Sequence, residues 1–354
     1  MPASGWFCCS YSNTTGGVMI LTNTHDVGLS VAVWLASDFY NHNRFPGKKA
    51  ISATGLLKPV RQTILAQRAF KSSKLKQSRD ILDNIESHAG TAVHAGIEKA
   101  WKENYKQALL DLGKPKHLIN RIIINPTPEQ LAQADKPIPV YLEQRTYREF
   151  GDWIIHGEFD FIGDGILEDF KNVKIFGFMK KDNNKKYQLQ GSIYRWLNPD
   201  KITKNFMRIQ FLIKDWKKYE YESRKAKGYP PTPSASQDFV YLSLAETEKF
   251  IQNKIDLLDQ YANASEDQIP HCPDDELWMT ESVFKYYKNP AKTNRSTKNS
   301  SEYHELHTLM TQNGCGIIKE VKGVIKRCNP KWCAAFELCT QKDVYIAENR
   351  LDLD

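Results

Sequence analysis

An α/β fold is predicted from three features of the 354-residue chain. The stretch His156–Leu197 passes from strand-like alternation to helical spacing. Apolar strand-like runs recur at 205–218 and 238–245, and helical patterns stand before and after the central block. Together these predict a central mixed sheet flanked by helices, with a helical N-terminal part and a cysteine-rich C-terminal lobe. The expected division is a disordered leader at 1–18, a core at 19–262 and the lobe at 263–354. Hydrophobic content of 41% and charged content of 26% are those of a globular protein. No apolar run reaches membrane-spanning length and no signal pattern opens the chain, so the expectation is a non-membrane, cytoplasmic protein. A formal charge of +7 favours a polyanionic partner.

The leader, MPASGWFCCSYSNTTGGV, has no period, and Met19 is a candidate natural start. Val31, Trp34, Leu35 and Phe39 fall on one face of a helix expected over 28–43. Ile51–Arg68 follows; Lys58 and Arg61 there read either as a solvated helix start or as phosphate contacts. A polar, basic connection over 69–90 leads into a helix over 90–113, striped by Val93, Ile97, Trp101 and Tyr105, with His94 and Glu98 on another face. Prolines punctuate 114–139, where no long element is expected. Pro139–Phe150 reads as a strand with Tyr141, Glu143 and Arg145 on one side; Arg145 and Arg148 are candidates for cross-strand pairing.

The central block comes next. Alternation puts Glu158 and Asp160 on one face of a strand, and Gly163-Asp164-Gly165 supplies a tight turn. On the returning strand Asp169 and Lys171 share a face while Phe170 points into a core; Glu168 has no assigned partner. Pairing of these strands brings Asp160 near Asp169 and Lys171, which suits a hard divalent cation and a phosphate. Lys180, Lys181, Lys185 and Lys186 form a basic run before a helix that carries Gln190, Ile193, Tyr194 and Leu197 on one face. Two further strands, at 205–218 and 238–245, and a helix from Ala245 to about Tyr261 complete the core.

Gly157-Glu158-Phe159-Asp160, Asp169-Phe170-Lys171 and Gln190-Gly191-Ser192-Ile193-Tyr194 resemble, in order, the GxxD, DxK and QxxxY motifs of the RecB-type branch of PD-(D/E)XK nucleases. His94 matches that branch's upstream helical histidine. The resemblance implies a restriction-endonuclease-like core and a metal-dependent DNA exonuclease, in the setting of phage DNA replication, recombination or degradation, in the host cytoplasm if phage-encoded. An endonuclease of the same superfamily and a non-catalytic DNA-binding accessory protein are the alternatives. Asp160, Asp169, Lys171, Gln190 and Tyr194 become the expected catalytic group. His94, Asp160, Asp169 and the Phe170 carbonyl are expected to hold Mg²⁺ or Mn²⁺, with Glu143 a secondary candidate. DNA is the implied partner, contacted by Lys180, Lys181, Lys185, Lys186 and Arg195, with other replication or recombination proteins beside it. Asn172 departs from the threonine usual after this lysine.

Seven cysteines, an odd number, argue against a disulfide framework. Cys8 and Cys9 lie in the leader. Arg327–Gln341 resembles the C-terminal cysteine cluster of the same branch, but Lys58 stands where many relatives carry the first cysteine. Cys328, Cys333 and Cys339 are expected to be joined by Cys272, or else by Cys315. A [4Fe–4S] cluster, a zinc ion and buried free thiols are the three readings of this group.

Overall fold

Alternating strands and helices form two compact units in the computed structural model, which describes residues 10–11, 19–37, 45–71 and 77–353. One unit comprises Asn23–Leu57 and Asp80–Asp256; the other takes in the described residues of Met1–Thr22, Lys58–Arg79 and Leu257–Asp354.

In the first unit the chain runs through α1 (Leu29–Ala36), β1 (Lys49–Ser52), α2 (Ala53–Leu56), α3 (Ile85–Glu103), β2 (Ile122–Ile124), β3 (Ile138–Phe150), β4 (Trp153–Gly163), β5 (Ile166–Val173), α4 (Asn184–Leu197), β6 (Phe206–Ile213) and β7 (Ser234–Val240). The strands form one mixed sheet in the order β7-β6-β5-β4-β3-β2, with β1 on the edge of β4. β1 with β4, β2 with β3 and β5 with β6 are parallel pairs, and the remaining pairs are antiparallel. This is an α/β fold with a mixed sheet flanked by helices.

The turn between β4 and β5 is the Asp164-Gly165 pair, with φ of 48° and 80°. Two successive positive φ values match the right-handed twist of the flanking strands, and Asp-Gly is a residue pair suited to them. Val140, Leu142, Phe161 and Phe170 form a buried cluster, and Ile97 and Trp101 of α3 pack against it. The 3.6-residue period therefore orients α3: the residues one turn before Ile97 lie beside Phe170.

Several local expectations change. α3 begins at Ile85 rather than 90, and the helical run breaks at Asn104 before resuming at Tyr105–Asp111. The connection expected over 69–90 contains the end of helix Val60–Lys71, strand Gln77–Asp80 and the first residues of α3; residues 72–76 lie outside the described residues. The proline-rich stretch contributes β2 to the sheet. α1 stops at Ala36; its expected continuation through Phe39 to 43 lies outside the described residues. Of the leader, Ser10–Tyr11 pairs antiparallel with Met19–Ile20, whereas 1–9 and 12–18, with Cys8 and Cys9, lie outside the described residues.

In the second unit, strands Val283–Tyr287, Lys298–Ser300 and Ile317–Val321 form a three-stranded antiparallel sheet. Helices Tyr303–Asn313 and Gln341–Ala347 belong to the same unit.

Candidate functional site

β4 shares one of its edges between two partners. Trp153–His156 pair with β1, and Phe161–Gly163 pair with β5, so Gly157–Asp160 have no ladder partner on that side. Continuing the β4–β5 register would set Asp160 opposite Asp169, but the strands separate just before that point. The Asp160 carboxylate enters the opening instead: its Oδ2 accepts the Phe170 N–H at 3.0 Å. A backbone amide that would otherwise bond to a strand is thereby satisfied by a side chain.

Two other elements aim groups into this opening. From α3, His94 brings Nδ1 to 3.3 Å from Asp160 Oδ1 and Nε2 to 3.1 Å from the Phe170 carbonyl oxygen. From β3, Glu143 occupies the register position opposite Asp160 but drops out of the ladder, with φ of 44°. That left-handed backbone is costly for a residue with a Cβ. It is held in place by the Asn125 side chain, whose Oδ1 accepts Leu142 N–H and Gln144 Nε2–H on either side. Among the described residues, His94, Glu143 and Asp160 are the histidine, cysteine or carboxylate trio whose ligand atoms close to within 4.8 Å.

Asp169 and Lys171 lie at the adjoining wall. Asp169 is 3% exposed, ion-paired through Oδ2 with Lys171 Nζ, and accepts Gln190 Nε2–H at 3.2 Å on Oδ1. Gln190 also lies 3.4 Å from the Tyr194 hydroxyl. The expected group is thus gathered, but with a different division of labour: Glu143 stands with His94 and Asp160, and Asp169 faces Lys171 and Gln190. The motif glycine has a packing reason. A Cβ on Gly157 would lie 2.6 Å from the Tyr194 ring, so only glycine lets α4 seat its tyrosine against β4.

Charge follows from this crowding. The Asp160 hydrogen bond raises His94 above its ordinary value, against the opposing effect of burial. Burial, followed by repulsion from Asp160, pushes the Glu143 carboxyl up to about 7. Asp169 is raised by burial, with Lys171 pulling the other way. For Lys171, burial works against the ammonium, but the Asp169 charge outweighs it and keeps the pKa above the ordinary lysine value. Tyr194 is raised by burial and stays a phenol.

The donor set fits a hard divalent cation. Octahedral ligands at about 2.1 Å from Mg²⁺ are separated by about 3.0 Å along each edge. The ligand atoms of His94, Glu143 and Asp160 lie within 4.8 Å of one another, so a small inward movement reaches that spacing, and His94 would ligate through one ring nitrogen, giving up its present contact there. A cavity of about 890 Å³ opens over these groups, lined at this end by His94, Glu143, Arg145, Glu158, Phe170 and Lys171.

The basic residues expected to contact DNA do not line this cavity. Lys180 pairs with Asp182 at 2.6 Å, Lys181 ends the short helix Ile175–Lys180 in the left-handed region, Lys185 is exposed, and Lys186 is half-buried. Arg195 lies over the Tyr241 ring at 5.3 Å. Arg145, a candidate for cross-strand pairing, is ion-paired with Glu158 across β3 and β4 and does line the cavity. Glu168, without a partner in the sequence reading, accepts Gln210 Nε2–H at 3.0 Å from β6.

The second unit holds the cysteines. Burial, then repulsion from Cys339 and Cys333, raises Cys272 to about 11; burial, then Cys333, Cys339 and Cys272, raises Cys328 to about 12. Cys333 is raised chiefly by burial. The four thiols therefore sense one another, whereas Cys315 is exposed and its backbone carbonyl accepts the Tyr286 hydroxyl. Four soft ligands in one half-buried place suit a thiophilic metal, whose charge offsets the cost of deprotonating them. Their sulfurs stand wider than a single zinc would hold them: no three close to within 4.8 Å, against about 3.8 Å between sulfurs on one tetrahedral zinc.

Arg61 is neither a solvated residue nor a phosphate contact. It is 1% exposed; its Nε donates to Cys339 Sγ at 3.2 Å, its Nη1 to the Ile269 and Glu266 carbonyls at 2.6 and 3.1 Å, and its Nη2 pairs with the Glu266 carboxylate. The motif reading missed this clamp, because nothing local to Arg61 signals partners more than two hundred residues away.

No family model matches the chain. No curated protein matches it either. The chain is similar to a solved structure titled "Crystal structure of SSO0001", at 15% identity and a TM-score of 0.38, over 70% of this chain and 98% of that one. Among the described residues, no helix is long and apolar enough to cross a membrane.

Proposed function

We propose that this chain is a divalent-cation-dependent deoxyribonuclease of the PD-(D/E)XK type, acting as an exonuclease in DNA replication, recombination or degradation. The supporting observation is the convergence of His94, Glu143 and Asp160 within 4.8 Å, next to the Phe170 carbonyl, with His94 and Glu143 lining one cavity with Lys171. A Mg²⁺ or Mn²⁺ ion held there would polarise a phosphate and lower the pKa of a bound water. Asp169 fixes the Lys171 ammonium in place, and Gln190 fixes Asp169 in turn. With its pKa above the ordinary value, Lys171 acts as a cation that orients the attacking water and neutralises charge developing on phosphate, rather than as a free base. The thiophilic site of the second unit, with sulfurs wider apart than one zinc would hold them, has a structural role in this reading as the seat of an iron–sulfur cluster.

The test is direct. Purified protein is incubated with linear and with circular DNA, with and without Mn²⁺. Cation-dependent loss of linear DNA alone is the expected result; attack on closed circles would replace the exonuclease with an endonuclease. Asp160→Ala and Lys171→Ala should each reduce cleavage at least about 100-fold with unchanged circular dichroism. Retained cleavage in either variant overturns the assignment.

A further inference from the structure

The cavity is larger than a cation and one phosphate require. At about 890 Å³ it lies near the top of the range, roughly 300–1,000 Å³, typical of sites for organic ligands. Its far end is made by Trp34 on α1 and by Ser37, Ser87, His88, Gly90 and Thr91. Glycine and alanine positions along α3 (Gly90, Ala92, Ala95) keep the floor between the two ends low.

Trp34 is 41% exposed, yet its helix is firmly anchored. Leu35, the next residue, is fully buried, and its carbonyl accepts Asn84 Nδ2–H at 2.9 Å. His88 Nε2 lies 3.1 Å from the Ser37 carbonyl oxygen, and the His88 ring meets the Trp34 indole edge-on, with centroids 5.6 Å apart at 88°. The two rings are perpendicular, so His88 covers at most one side of the indole, and Trp34 keeps exposed surface in a cavity whose other end has a cation-type donor set, Lys171 and Arg145. An aromatic ring immobilised before binding loses little freedom when a ligand stacks on it.

We infer that Trp34 is a base-stacking residue for single-stranded nucleic acid: an unpaired base lies on the indole while a phosphate of the same strand occupies the His94–Glu143–Asp160 end. This rests on the nuclease reading and adds its substrate class. A base inside a duplex is already stacked on its neighbours and would have to be unstacked to reach the indole, at a cost of a few kcal/mol; the site therefore selects unpaired strands.

The experiment uses the full chain carrying Lys171→Ala, with Ca²⁺, so that a labelled single-stranded oligonucleotide stays intact during anisotropy titration. Abasic sites are placed at each position in turn. One position should weaken binding by roughly five-fold or more, and the same lesion should change affinity less than two-fold once Trp34→Ala is added. Trp34→Phe should keep most of the dependence. A strand bearing 5-iodouracil at the sensitive position should photo-crosslink to the peptide containing Trp34, a readout that stands even if Trp34→Ala fails to fold. Equal abasic penalties with and without Trp34, or crosslinks only elsewhere, overturn the inference while cleavage by the unmodified chain leaves the nuclease reading intact. Absence of both DNA binding and cleavage overturns the two together.

Discussion

Glu143 carries its carboxylate into the opening at a φ of 44°, and burial beside Asp160 leaves it easily protonated. Its pKa in the ion-free fold is about 7, against an ordinary 4.5, so the folded state holds a proton that the unfolded chain has released. That contribution to stability is complete below about pH 4.5 and is lost as pH rises through about 7. Without added cation, the melting temperature should therefore fall more steeply over this window in the native chain than in Glu143→Gln. Mn²⁺ should remove the difference for the native chain by taking the proton's place. Equal slopes would contradict the assignment. Arg61 allows a second test. Truncating a buried, multiply bonded guanidinium leaves the Glu266 carboxylate without its buried partner and typically costs about 3–5 kcal/mol. Arg61→Ala should show that loss by chemical denaturation, and Arg61→Lys, lacking the planar fork, should recover only part of it.

At the scale of single elements, the opening depends on β4 pairing with two different strands along one edge and on α4 lying close enough to close the far wall. Gly157→Ala tests this spacing: its methyl would press into the Tyr194 ring, costing about 1–3 kcal/mol and displacing Gln190. Cleavage should fall with the melting temperature, and an unchanged melt would show that α4 has room to move. The β4 and β5 strands, their Asp-Gly turn and α4 were legible because alternation, turn residues and helical spacing are local properties. Asp160, Lys171, Gln190 and Tyr194 were accordingly located from sequence alone. Glu143 entered only as a secondary candidate through the family resemblance; alternation could not set it beside His94 and Asp160, since it assumes regular φ and this strand breaks that assumption. α1 shows the limit of periodicity: among the described residues of its apolar face Val31 and Trp34 are exposed and Leu35 is buried, because periodicity reports that a face is apolar and not what covers it.

For the molecule as a whole, two units carry two kinds of ligand: oxygen and imidazole in one, sulfur in the other. Hard and thiophilic metals should therefore sort between them. Protein purified without oxygen is expected to carry a metal that Cys272→Ser, Cys328→Ser, Cys333→Ser and Cys339→Ser each reduce and Cys315→Ser does not. Elemental analysis and visible absorption would check it, and equal loss with Cys315→Ser would remove Cys272 from its assigned place. The helix Val60–Lys71 belongs to the cysteine-bearing unit although it lies early in the chain, and no periodicity announces that, because unit membership is set by contacts remote in sequence.

One backbone amide is a built-in reporter. The Phe170 N–H is capped by a carboxylate and not by a neighbouring strand, so its exchange with deuterated solvent is governed by Asp160 alone, at a spot where adjacent amides answer to the sheet. A metal drawing that carboxylate toward itself would quicken exchange at this one position, so occupancy could be followed by nuclear magnetic resonance in a protein that has not yet met any substrate.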